Sequence, residues 1–538
     1  MLNPSIAKLL PYFKPHPAVS EPEKENNIHV DELVGSVIFL YEKLRNIIDF
    51  KEERLLRKEA IHRILKRRLF LEDIRKLMLI DLEKKVAESL IKELIQARYI
   101  ANDSLPKKKN QEIEKVIDRY LLLMQFIGQK NGKSGDKAKL FNWLIGLAAC
   151  EIEERLVPAE QEKALAGCMY EIMGRRLRIA DGQINEKDKE IQLYAAIYRT
   201  LLKYDQTLVS YLLLKLYYPG WLEAAPDDIR QMARDIEKWQ SVLSGQAYHP
   251  LREKFNNLCR RQAILFSMLR DTILANQDDY LSIIGDPKLL AEKVRKVSLK
   301  KHKESRRKLF KSSVHAIIYI FLTKMAIALA IEVPFDIYVL QAVNYLPILI
   351  NLIFHPLLMF FITMTFRFSV NKNTEKIVKG IEEIAYQEKG RDVRYVIKVP
   401  LPYRTFLNFF FQLVYWLAFV VSFGILIYVL RYLQFSVLSG ALFLIFLSLV
   451  SFFGIRIRAT AKELLISEKR ASIIGALFDF FTLPIVRVGR RISEEFSRLN
   501  VFLFILDYLI EAPLKTLMSF IESWFGFMKE RKEETINT

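Results

Sequence analysis

Cysteine is scarce: there are 3 in 538 residues, at Cys150, Cys168 and Cys259, far apart and with no Cys-x-x-Cys pair. That excludes a disulfide framework and reads as idle thiols in a reducing compartment. Glycine (19) and proline (18) are too few for a collagen-like or low-complexity chain. No His-Glu-x-x-His, Gly-x-Ser-x-Gly or paired-cysteine motif occurs, so hydrolase and zinc chemistry have no sequence support. The first twenty residues lack a long apolar run and carry prolines at 4, 11, 15 and 17, so no signal peptide is read there.

What is present is a large apolar pool (51%) beside a large charged pool (27%), with a formal net charge of +19. The apolar pool excludes intrinsic disorder, and the charge points to an anionic neighbour. The two pools are segregated along the chain. Four stretches have the length and composition to cross a bilayer: about Ser313 to Ile331, Tyr338 to Phe366, Phe406 to Leu430 and Phe435 to Ile455. The second is too long for one upright helix, and Pro347 and Pro356 predict a kink or break in it. Lys288 to Lys311 holds 11 Lys/Arg against Glu292 and Glu304, and Arg367 to Arg404 holds nine. The connection after the first stretch carries Glu332 and Asp336 and no base. This alternation places both termini and the 367–404 loop on the cytoplasmic side of a cell membrane.

The expected architecture is all-α: a polytopic helical membrane protein with a large N-terminal helical cytoplasmic domain. Its parts are a Pro-rich tail (1–28), a helical cytoplasmic domain (29–287), a polybasic juxtamembrane helix (288–312), a four-helix transmembrane domain (313–455) and an amphipathic interfacial region (456–538). In the last, Ile473 to Val486 is apolar but short, and Val501 to Met528 is interrupted by charge. Within the N-terminal part the periodicity predicts helices from Asp31, through Lys51 to Tyr99, over Leu140 to Arg155 and Ala159 to Arg178, and one long helix over Asp188 to Leu216. Val393 to Val399 alternates weakly, as one short strand would.

Three motifs resemble chemistry and fall short. Gly128-Gln-Lys-Asn-Gly-Lys-Ser134 has three residues between its glycines where a phosphate loop needs four, and it follows a helical segment. Glu59-Ala-Ile-His62 supplies one Glu-x-x-His where a di-metal site needs two, and Arg63, Lys66, Arg67 and Arg68 oppose a cation. The basic run Arg54 to Arg68 lacks the interleaved aromatics of a nucleic-acid surface; an anionic membrane surface suits it better, and a solvated face is the plainest reading. No catalytic, cofactor or metal residue is assigned, and nucleic acid is disfavoured.

Two sets of residues remain. Lys300, Lys301, Lys303, Arg306, Arg307, Lys308 and Lys311 suit anionic headgroups, at about 1 kcal/mol or less each. Lys324, Asn344, Asn351 and His355 lie inside the apolar stretches, the last three on one helical face at spacings of seven and four. They form either a polar intramembrane path or interhelical hydrogen bonds, with Lys324 snorkelling outward. The sequence favours a non-enzymatic membrane scaffold that docks a protein partner or a second copy; the alternative is a small-solute or ion transporter or channel using that path. The basic flanks predict that an impermeant thiol reagent outside intact cells labels Asp336→Cys and spares Gln387→Cys. The reverse pattern inverts the topology.

Overall fold

Helical periodicity becomes helix in the computed structural model, which describes residues 2–14, 27–30, 39, 42, 52–71, 83–129, 134–179, 185–341, 345–364, 369–386, 395–397, 405–462, 465–466, 473–498 and 524. Regular structure among them is all-α, apart from strands β1 (Leu177–Ile179) and β2 (Tyr395–Ile397), which pair in parallel with Leu177 opposite Tyr395. Within the weakly alternating stretch 393–399, Tyr395–Ile397 is thus a strand. The expected helix from Asp31, the middle of the Lys51 to Tyr99 stretch (72–82) and the segment Val501 to Met528 lie outside the described residues, except for Phe39, Glu42 and Trp524. Contacts divide the chain into two units.

The first unit is built on Asn3–Ala263 and the strand pair. Its helices are α1 (Pro4–Leu9), α2 (Glu53–Leu71), α3 (Glu83–Gln96), α4 (Lys108–Gly128), α5 (Ser134–Leu156), α6 (Glu160–Arg176), α7 (Glu186–Leu201), α8 (Gln206–Tyr217), α9 (Pro226–Arg234), α10 (Ile236–Ala247) and the start of α11 (Arg252–Leu274). Ile61, Leu90, Ile113, Leu144, Val209 and Trp221 belong to one buried cluster. The long helix expected over Asp188 to Leu216 is two helices. Leu201 ends the first, Lys203 takes a left-handed φ of 56°, and the Asp205 carboxylate caps α8 by accepting the Leu208 N–H at 2.9 Å. Neither Gly nor Pro marks this break, so the apolar periodicity runs through it unbroken.

The basic run on α2 is not a solvated face. Arg57 donates to Glu153 at 2.8 Å, Arg67 to Glu93 at 2.7 Å, Arg63 pairs with Glu42 and Lys58 with Asp205. Burial, with Lys58 and Lys66 alongside, drives His62 down to about 4, which keeps the imidazole neutral. No cluster of three metal-type ligands occurs among the described residues. The three thiols are buried, and burial pushes Cys168 and Cys259 up to about 12.

Among the described residues of this unit, the carboxylate of Glu151 has no exposed surface. It pairs with Arg119 and accepts from Arg155 at 3.2 Å, the Trp221 indole at 3.1 Å and the Tyr120 hydroxyl at 3.3 Å. Removing one partner of such a pair strands the other charge, at about 3–5 kcal/mol. Glu151→Ala should therefore lower stability by about that amount in a chemical-denaturation series on the detergent-solubilised chain, with Trp221 emission as one probe.

The second unit is built on the described helices after Ile264. It comprises the end of α11, α12 (Tyr280–Gly285), α13 (Pro287–Ile327), a π-helical turn (Ala328–Glu332), α14 (Val333–Tyr338), α15 (Tyr345–Met364), α16 (Val370–Ala385), α17 (Thr405–Tyr432), α18 (Val437–Lys462) and α19 (Ile473–Arg498). Asp286 caps α13 by accepting the Lys288 N–H at 2.9 Å, with Pro287 in the first turn. Four helices are long and apolar enough to cross a membrane: Pro287–Tyr338, Tyr345–Met364, Phe409–Tyr432 and Val437–Arg458. At most 33% of any such apolar window is buried within the protein, so most of this apolar surface has no protein cover.

Two boundaries differ from expectation. The first apolar helix continues past Ile331 to Tyr338, and Glu332 and Asp336 are buried helical residues, not loop charges. The over-long second stretch breaks before Pro347: the chain turns near Gln341, at φ 52°, and α15 starts at Tyr345 with Pro347 in its first turn. Pro356 remains inside α15. For the topology test the thiol expected outside is placed at exposed Gln434, in the turn between α17 and α18, since Asp336 is buried.

α19 is longer than the apolar stretch from Ile473 to Val486 and packs on α17 and α18. Ser422 donates to the Phe481 carbonyl at 2.9 Å, and Gly489 lies so close to the Ser448 backbone that any side chain there would collide.

Candidate functional site

The most chemically loaded place in the second unit is where α13, its π turn, α15 and α18 meet. A helix advances about 100° per residue, so Glu332, eight positions past Lys324, would sit about 80° off the Lys324 face. The π turn accommodates one extra residue and rotates the following chain back by about that amount. Lys324, Glu332 and Asp336 consequently share one buried face with Ile320.

Across from them, α15 presents Asn351 and His355 one turn apart. The Lys324 ammonium donates to Asn351 Oδ1, and Asn351 Nδ2 donates to the Glu332 carboxylate at 3.0 and 3.1 Å. One amide thereby bridges a cation and an anion, its oxygen toward the first and its nitrogen toward the second. Lys324 Nζ also lies 4.3 Å from the centroid of Phe446 on α18, a cation–π contact. All three bridged residues are buried, Lys324 with 2% of its surface exposed.

His355 has no exposed surface, and each ring nitrogen faces a carbonyl: Nδ1 the Asn351 oxygen at 3.0 Å, Nε2 the Phe443 oxygen at 3.1 Å. A neutral imidazole donates from one nitrogen only, so one carbonyl always meets a lone pair unless the ring carries two protons. The ring also stands edge-on to Phe443, 4.8 Å between centroids. One turn beyond Glu332, Asp336 is buried with one carboxylate oxygen lacking a hydrogen-bond partner.

Of the four intramembrane residues expected, the structure thus joins Lys324 and Asn351 directly and sets His355 beside them, while Asn344 lies outside the described residues. Lys324 does not snorkel outward; it turns inward because a carbonyl, an aromatic face and, through the amide, a carboxylate await it there. Sequence reasoning missed Glu332 and Asp336, since α-helical spacing puts them off the Lys324 face and only the π turn corrects it. Of the seven basic residues proposed for headgroups, Lys301 pairs with Asp271. Lys300, Lys303, Arg306, Arg307, Lys308 and Lys311 are exposed on α13.

The chain matches no family model, no curated protein and no solved structure. The geometry therefore has to carry the functional reading alone. Chemically, the cluster is a charge pair held apart by an amide, with a fully buried imidazole between two carbonyls one turn away.

Removing Lys324 leaves Glu332 buried beside an amide that no longer leads to a cation. Lys324→Met should lower the midpoint of thermal unfolding in detergent, in keeping with a loss of about 3–5 kcal/mol. The double variant with Glu332→Gln should recover much of it, because the uncompensated charge is then gone as well. Equal melting of wild type and Lys324→Met would mean that the two charges do not interact.

Proposed function

We propose that this chain is a multi-pass membrane protein that moves a small ion or polar solute through its bundle of apolar helices. The observation that carries this reading is the buried bridge Lys324–Asn351–Glu332. Ionisable groups in a membrane segment are costly and tend to mark substrate or ion routes, and π turns concentrate at functional sites. In this mechanism an entering ion displaces one partner of the bridge: an anion takes the place of Glu332 near Lys324, or a cation takes the place of Lys324 near Glu332. Asn351 offers one donor face and one acceptor face, so it follows either exchange. His355 and Asp336 extend the polar lining along α15 and α14.

The same reading sets the protein in a cell membrane, with both termini and the first unit on the cytoplasmic side. The exposed bases of α13 lie against anionic headgroups there, and a homo-oligomer completes a transport unit that four spans alone leave small. A second reading, a membrane-anchored docking protein, draws support from the separate core of the first unit, which the transport mechanism does not use. The two readings part in one experiment. Purified protein in proteoliposomes should carry a flux of protons, alkali cations or chloride, measured with ion-sensitive dyes. Lys324→Gln and Glu332→Gln should each reduce it at least tenfold while the protein still inserts. Wild-type vesicles impermeable to all three ions, from a preparation that co-purifies a stoichiometric protein partner, would overturn transport in favour of docking.

A further inference from the structure

The first unit holds a second feature that transport leaves unexplained: an open cleft of about 260 Å³ between α5, α7 and α8, near the lower edge of small-molecule sites. It exists because α7 and α8 are separate helices. The break at Leu202–Asp205 brings Tyr204 into the wall, while Tyr194 and Tyr198 reach it from α7, and Tyr211 from α8. The rings pack as a continuous aromatic wall, with centroids 4.8 Å apart for Tyr194–Tyr198 and 5.1 Å for Tyr198–Tyr204. Arg54 lies over the Tyr204 ring and Lys215 over that of Tyr211.

Hydrogen-bond accounting shows what the cleft lacks. Its acceptors are already taken: Glu154 receives Lys215 at 2.7 Å and Lys163 at 3.0 Å, and Glu153 receives Arg57 at 2.8 Å. Burial alone would raise Glu154, but those two ammonium groups outweigh it and hold the carboxyl at about 2, so it stays ionised. Its donors are in surplus. Tyr194 donates to the Tyr198 hydroxyl at 3.2 Å, which leaves the Tyr198 proton for another acceptor. Tyr211 lines the cleft with 3% of its surface exposed, and its buried hydroxyl, drawn toward the already paired Glu154, finds no acceptor at good hydrogen-bonding geometry. A buried hydroxyl without a partner costs free energy that a ligand oxygen would recover.

From this geometry we infer that the cleft binds a small organic carboxylate with a flat apolar body. Its oxygens accept from Tyr211, Tyr198 and the rim cations, and its body lies on the tyrosine wall. The lining sets Arg54, Lys163 and Lys215 against Glu153 and Glu154, with Glu162 also on Arg54 from outside it, so the site suits no more than one negative charge.

Benzoate is the probe, titrated calorimetrically into the full-length chain in detergent, with inorganic phosphate and benzyl alcohol as the charge-only and ring-only arms. Saturable binding of benzoate, and of neither of the others in the same range, is expected. Tyr211→Phe should weaken it about tenfold or more, the effect of losing a hydrogen bond to a charged group, while leaving the ligand-free melting temperature unchanged or higher. Lys163→Met, on the partly exposed rim, should weaken it as well and covers the case in which the tyrosine variant fails to fold. Absence of saturable benzoate binding, equal binding of phosphate, or undiminished benzoate affinity in a folded Tyr211→Phe protein would each overturn the assignment.

Discussion

A charge removed from water must find its opposite or a ring of hydrogen bonds, and in an apolar bundle it must find them on a neighbouring helix. Lys324 imposes this constraint on the second unit. Its ammonium fixes the rotation of α13, the register of α15 through Asn351 and the approach of α18 through Phe446. The π turn at Ala328–Glu332 follows from the same demand: without an extra residue there, Glu332 would face away and the amide would bridge a cation to nothing. Helical irregularity is here the way in which electrostatic pairing is achieved.

The first unit meets the constraint with different means. Its buried carboxylates Glu151 and Glu153 and the half-buried Glu154 lie along α5, and arginines or lysines from α2, α4, α6 and α8 converge on them. Such pairs add little net stability over apolar packing, but they penalise every arrangement in which a partner is missing. They therefore act on specificity, holding five helices in one mutual arrangement. Glu151, which also collects the Trp221 indole and the Tyr120 hydroxyl, ties the most deeply buried aromatic pair into that lattice.

The cleft among the tyrosines depends on both effects. Asp205 serves at once as the cap of α8 and the partner of Lys58, so one carboxylate stops a helix and anchors the break to α2. The break in turn places Tyr204 and leaves room beside Tyr211. A sequence window sees only leucine and tyrosine at helical spacing through this region, because the signal that ends α7 is a long-range ion pair and a left-handed lysine, not a glycine or proline.

The sequence by itself determined the helical class, the four apolar helices of membrane length and the shared face of Asn351 and His355. These follow from local composition and from the 3.6-residue repeat, which act over one or two turns. It also foretold a short strand within 393–399, where Tyr395–Ile397 pairs with Leu177–Ile179. Tertiary structure alone decided that Lys324 turns inward, that Glu332 and Asp336 join its face, that the bases of α2 are held by internal carboxylates, and that Asp188 to Leu216 is two helices. Each of these rests on partners distant in sequence, up to 147 residues for Lys58 and Asp205. Periodicity tells which face of a helix is buried; which charge waits on the other side is settled only when the helices meet.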